Sequence, residues 1–221
     1  VINTDTYDEL NVTEFNLASG YTLRPEGSNP LIIRSLGNVV IDGTIDCSGG
    51  DGENSSAVGS ATHPGGQPRC MGYAGGSGAA QTVNASDGTP NLLGATSAGA
   101  RATNSDSGGG GGAAYNSEVG YGADPGLGPN AGAAGTPGDD LFFSVIDGGA
   151  GGGGGEDGSD TSSGGGGGAG GGVIIVVAYG DITVGSSAQI LANGGRGGGD
   201  AGLNAGGGGG GAGGSIAMFS L

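Results

Sequence analysis

The chain has 221 residues, 61 of them Gly, and sets 21 carboxylates against five basic residues, all Arg, for a formal net charge of −16. Binding to nucleic acid or to an anionic membrane surface draws on basic side chains, so this balance argues against both. With no Trp, 8 Pro and no Gly-X-Y period, the sequence offers neither a collagen rod nor the aromatic stock of an ordinary globular core.

In chain order, residues 1–7 alternate weakly and read as a segment that either caps the strands after them or extends outward. Leu10-Asn-Val-Thr-Glu-Phe-Asn-Leu17 alternates apolar and polar residues, which is the period of a half-buried strand, and Tyr21-Thr-Leu23 comes after a Gly20 corner. Residues 30–48 then give a full turn of three short strands. Leu31, Ile33, Val39, Ile41 and Ile45 are its inward candidates, because residues two apart share one face. Gly37 and Gly43 mark its corners, where positive φ is cheap only for Gly.

The same phrase returns at Val173-Ile-Ile-Val-Val-Ala-Tyr-Gly-Asp-Ile-Thr-Val-Gly, which runs on through Gln189-Ile-Leu191 into Gly194-Gly195. A fragment of a further copy lies at Gly214-Ser-Ile-Ala-Met-Phe-Ser-Leu221. Repeated short strands punctuated by Gly corners predict an all-β fold, a short parallel β-helix or solenoid. The expected organisation is a single domain over 1–221, with coils at about 8–50 and 172–221. A long Gly-rich insertion occupies 51–171 and a smaller one 194–214. Both insertions leave from the end of one coil and return at the start of the next, so they are expected to pack side by side at one edge. One apolar island, Leu141-Phe-Phe-Ser-Val-Ile146, interrupts the long insertion and reads as a strand or plug.

Gly is the costliest residue to order. Runs such as 108–112, 151–155, 164–168, 170–172 and 206–211 can nonetheless pack as polyglycine-II helices if neighbouring helices satisfy each other's backbone groups, the alternative being flexible loops. The strand-corner-strand phrases ending in Gly-Gly, over roughly 30–50 and 172–221, resemble Gly-rich parallel β-helix proteins of microbial surfaces and fibres. The Gly runs are similar to the polyglycine-II sandwiches of phage tail-fibre adhesins and to the Gly-rich antifreeze proteins of snow fleas. In those families function resides in the shape of a surface, so the resemblance implies no catalytic residue.

Cys47 and Cys70 are the only cysteines and bracket a Gly-, Ser- and Pro-containing loop, which fits one disulfide in an oxidising compartment. Gly49-Gly-Asp-Gly-Glu-Asn54 nearly matches a calcium-binding nonapeptide, and Gly155-Glu-Asp-Gly-Ser-Asp160 is also rich in oxygen ligands. Asp51, Asn54, Asp157 and Asp160 are therefore the candidate ligands of a structural Ca²⁺, against the plainer reading of solvated turns; no other cofactor is expected. His63, the one histidine, sits in the Cys47–Cys70 loop, where a Ser-His-Asp triad lacks a scaffold and a Cys2His metal site would need a carboxylate as its fourth ligand. Carboxylate pairs such as Asp42 and Asp46 suit a polysaccharide hydrolase or lyase, but so few coils and so few basic residues argue against an enzyme. A phosphate loop would need a Lys and a helix after it, and neither is present. No apolar stretch reaches transmembrane length. Beginning at Val1, the sequence reads as a mature secreted product with its signal peptide removed, and sequons at Asn11, Asn54 and Asn84 agree with secretion.

The function expected from these features is that of a secreted structural subunit of an extracellular filament or fibre. It would self-associate through strand edges at the coil ends, with Val12, Phe15, Leu17, Ile216, Met218 and Phe219 at the contacts. The alternative is the receptor-binding tip of a phage or surface adhesin, with Tyr115, Tyr121, Phe142 and Phe143 contacting a glycan or cell-surface receptor.

Overall fold

The computed structural model describes residues 2–7, 9–56, 62–80, 84–90, 146–155, 163–199 and 205–221. Among them every regular element is a β-strand: β1 (Leu10–Val12), β2 (Phe15–Leu17), β3 (Thr22–Leu23), β4 (Leu31–Ser35), β5 (Val39–Ile41), β6 (Thr44–Asp46), β7 (Val173–Ala178), β8 (Ile182–Val184), β9 (Gln189–Leu191) and β10 (Ser215–Ser220). They form three parallel sheets of order β1-β4-β7-β10, β2-β5-β8 and β3-β6-β9. Each successive triplet gives one strand to each sheet, and β10 begins a fourth triplet.

Register keeps like residues in columns. Leu10 pairs with Ile33, Ile33 with Val176 and Val176 with Met218 in the first sheet. Phe15, Val39 and Ile182 align in the second, and Leu23, Ile45 and Ile190 in the third. The inward faces meet in one core of Leu31, Ile33, Val39, Ile41, Ile45, Cys47, Cys70, Ile174, Val176 and Ala178. Ile33, Val39, Ile41 and Ile45 are completely buried, as the two-residue alternation predicts, and each such side chain contributes about 1.5–3 kcal/mol by leaving water.

The corners differ from expectation in one respect. Among described residues only Gly20 and Gly27 are glycines with positive φ, so Gly37 and Gly43 are not needed for left-handed geometry. They are needed for room: a Cβ on Gly37 would lie 2.9 Å from the Thr13 carbonyl oxygen, and one on Gly43 would lie 2.7 Å from that of Ala18. The corners of successive triplets stack too closely for a side chain.

The described Gly-rich stretches are held by backbone hydrogen bonds with a three-residue period. Residues 163–172 run through their middle. Gly164, Gly167 and Gly170 donate to Ala79, Gly76 and Tyr73; Gly165, Gly168 and Gly171 donate to Gly206, Gly209 and Ala212; Gly166, Ala169 and Gly172 donate to Glu53, Gly50 and Cys47, all at 2.7–3.0 Å. The carbonyls of Gly165, Gly168 and Gly171 in turn accept from Gly155, Gly152 and Gly149, and those of Gly166 and Ala169 from Gly198 and Gly195. The central stretch thus has backbone neighbours on every side and makes no bond to itself among these. Side chains are excluded there: a Cβ on Gly167 would sit 2.6 Å from the carbonyl carbon of Gly152 and 2.7 Å from the oxygen of Gly153. Both insertions do leave one edge and pack together, since Gly49, Gly52 and Ser55 donate to Asn193, Arg196 and Gly199. The island at 141–146 lies outside the described residues except Ile146, which is exposed.

Candidate assembly ends

At one end of the sheets, β10 pairs with β7 on one side only, and β8 and β9 have no strand beyond them among the described residues. This end is apolar yet open: Ile216 and Met218 are each 43% exposed, Phe219 48% and Leu221 70%. Val184 is also exposed, and Ile182, Ala188 and Ile190 are partly buried against the core. Ile216 and Met218 face inward, because they pair with Ile174 and Val176. They are exposed because no strand lies beyond β10 among the described residues.

At the other end, β1, β2 and β3 are the outermost strands of the three sheets. Leu10, Phe15, Leu17 and Leu23 pack against the core while remaining partly exposed, and Val12 is likewise half-buried. The six residues singled out from sequence as assembly contacts thus fall into two groups: Val12, Phe15 and Leu17 at this end, and Ile216, Met218 and Phe219 at the opposite one.

The segment leading into β1 is fastened by polar contacts. Thr4 donates its backbone N–H to Glu26 at 2.7 Å and Glu26 donates to Ile2 at 2.9 Å. The Asp5 carboxylate accepts the Ser28 backbone N–H at 2.6 Å and its hydroxyl at 2.9 Å, and the backbone bond is the main reason its pKa lies below the usual carboxylate value. Arg34 grips Glu9 with two bonds of 3.2 Å, which lowers the Glu9 pKa and raises that of Arg34.

The Cys47–Cys70 disulfide is formed, with Cα atoms 5.7 Å apart, and joins the end of the second triplet to the Gly-rich region. Beyond it Cys70 and Met71 have φ of 48° and 70°, a left-handed pair without Gly. The turn is held by the Gly72 N–H to the Arg69 carbonyl at 2.8 Å and by the Val173 N–H to that of Cys70 at 2.6 Å.

Two of the candidate calcium ligands have another occupation. Asp51 Oδ1 accepts the Arg196 N–H and Asn54 Oδ1 that of Gly199, both at 2.8 Å, while Ser48 Oγ accepts from Asn193. Spaced by three, these side chains cap the outer backbone of residues 193–199. Among described residues no group of three or more His, Cys, Asp or Glu is placed to hold a metal ion. Asp157 and Asp160 lie outside the described residues. Of the sequons, Asn11, Asn54 and Asn84 are all exposed.

His63 has more scaffold than its sequence surroundings suggest. Its Nε2 lies 2.8 Å from Ser163 Oγ and 3.2 Å from Ser56 Oγ, and its Nδ1 is 3.7 Å from Glu53 Oε1 without a hydrogen bond. The order Glu-His-Ser is that of a nucleophile with its base, a juxtaposition that residues 100 apart in sequence gave no means of finding. Ser163 is completely buried, however, and its Oγ also accepts the Ser56 N–H. The cluster ties together the stretches 53–56, 63 and 163.

What these features define is an all-β arrangement of parallel sheets among the described residues, carrying one disulfide, and no helix of those residues is long and apolar enough to cross a membrane. Comparison with protein-family models, with curated proteins and with solved structures finds no match.

Proposed function

We propose that this chain is a secreted structural subunit of an extracellular filament. In this reading the three sheets are the walls of a short parallel β-helix, and the Gly-rich stretches beside it form a polyglycine-II bundle. The parallel triplet order and the columns of like residues support the first point. The three-residue hydrogen-bond period, which is that of an extended helix without internal bonds, supports the second. A disulfide is in keeping with an oxidising, extracellular setting.

The observation that carries the filament reading is the pair of open apolar ends. Strand edges without a partner invite pairing with another chain, and two unlike ends of one stack make a head-to-tail contact that propagates instead of closing. The half-exposed Ile216, Met218 and Phe219 would each contribute about 1 kcal/mol on full burial, about half the value for a wholly exposed side chain. Added to main-chain pairing, such increments oppose the entropic cost of association.

The test is negative-stain electron microscopy of the purified native protein, with and without a calcium chelator. Regular filaments are the expected result, and their loss on chelation would add a metal to the contact. Discrete particles throughout would overturn the reading in favour of an adhesin tip.

A further inference from the structure

The two ends do not match as they stand. Among the described residues the first sheet has four strands and the others three. At the β10 end the surface is therefore a step, with β10 standing one strand beyond β8 and β9. The opposite end, formed by β1, β2 and β3, is level. Set on the step, a level end touches β10 alone and leaves β8 and β9 one strand spacing short of β2 and β3, with Ile182, Val184 and Ile190 uncovered. Lifting β1 away removes the mismatch. Each copy then supplies three strands to every sheet, and the bottom becomes the complementary step, with a slot beside β4.

We propose that in the filament β10 of one copy replaces β1 of the next, a strand exchange that rests on the filament reading above. β10 is the better strand for the slot: it has six residues and β1 has three. Continuing the existing columns sets Ile216 against Leu31, Met218 against Ile33 and Ser220 against Ser35, the positions these residues already share through Ile174, Val176 and Ala178. β1 reaches only Ile33, Arg34 and Ser35, so it has no residue opposite Leu31 in its pairing. The same movement brings β8 onto β2 and β9 onto β3, with Ile182 meeting Phe15, Val184 meeting Leu17 and Ile190 meeting Leu23, apolar on apolar in every column. Outside the sheet, Arg34 exchanges its bonds to Glu9 for the face of the incoming Phe219, a cation–π contact. Strand addition of this kind recruits main-chain bonds already suited to a parallel ladder.

Unmodified protein tests the exchange by hydrogen–deuterium exchange before and after polymerisation. Amides of residues 10–12 are expected to exchange about tenfold faster or more in filaments while those of 216–220 slow by a similar factor, because the first lose a partner strand and the second gain one. Slowing at both places would overturn the exchange and leave the filament reading standing, as expected for stacking of β10 on an undisturbed β1. Paired cysteines give an independent answer. Ile32 and Ala217 share Ile175 as partner and lie two strands apart within a chain, beyond disulfide reach, but become neighbours across an exchanged contact. The double variant Ile32→Cys with Ala217→Cys should give an intermolecular 32–217 disulfide. A 9–217 disulfide in Glu9→Cys with Ala217→Cys, with none at 32–217, would refute exchange. Absence of any polymer from the native protein would refute both readings together.

Discussion

Replacing Gly167 by Ala tests whether the Gly-rich region is packed as closely as its hydrogen bonds indicate. Gly167 donates to Gly76 and accepts from Gly66, each at 2.7 Å, and an added methyl would overlap the backbone of Gly152 and Gly153. No flexible side chain lies in the way, so the stretch holding Gly152 and Gly153 must move bodily, and moving it breaks or lengthens its own bonds, Gly152 N–H to the Gly168 carbonyl at 2.9 Å and Gly209 N–H to the Gly153 carbonyl at 2.8 Å. Leaving their buried partners unsatisfied costs about 1–3 kcal/mol each. The methyl recovers about 0.4–1 kcal/mol by restricting the unfolded chain. The expected net destabilisation is therefore about 2–5 kcal/mol, a fall in Tm of about 5–15 °C for a protein of this size. Gly210 is the internal control: it is exposed, and the nearest atom to a Cβ there is the Gly195 carbonyl oxygen at 3.7 Å. Gly210→Ala should be neutral or slightly stabilising. Urea denaturation and calorimetry of the two variants give the answer. If Gly167→Ala and Gly210→Ala unfold within about 2 °C of each other, the close approach of these backbones is not what stabilises the region.

The same geometry has other consequences. Converting Cys47 and Cys70 to Ser opens a link spanning 23 residues, for which the chain-entropy relation gives a loss of about 3 kcal/mol, readable in the urea midpoint. Part of that loss should appear as local opening around Met71, whose left-handed backbone needs its neighbours to hold it; unaltered amide exchange at 69–73 would contradict this. Asp5 and Glu9 have folded pKa values below their unfolded ones, so their contribution is complete above about pH 4 and lost as the pH falls through the depressed folded values. Acidification should accordingly free residues 2–12 before β4 to β6, as site-resolved exchange corrected for intrinsic rates would show; simultaneous loosening of both would refute the assignment. Met218→Asp places a charge in the column above Val176 and should abolish filaments while leaving the monomer's Tm within about 2 °C, given that the side chain is nearly half exposed. Filaments of normal length from this variant would dissociate the β10 end from assembly.

The strands were legible because their information is local. A two-residue alternation with β-branched inward positions, closed by Gly corners, fixes which of Leu31, Ile33, Val39, Ile41 and Ile45 point inside without reference to anything distant. The disulfide was legible because the chain has two cysteines and one way to pair them. Other features were not written locally. The sequence shows a Gly at 37 and at 43 but not its reason, which is a neighbour's carbonyl and not a φ angle. Nor does it show that Asp51 and Asn54 accept the N–H groups of residues 196 and 199, 145 positions away. Polyglycine has no side chains to encode partners, so which stretch neighbours which is settled by where the sheets release and recover the chain. The mismatch between the ends is likewise a property of strand order. Composition and periodicity determined that this chain would build parallel β layers beside a Gly-rich mass. Tertiary structure alone decided that the three sheets have four, three and three strands among the described residues, because counting strands in a sheet depends on which distant segments pair.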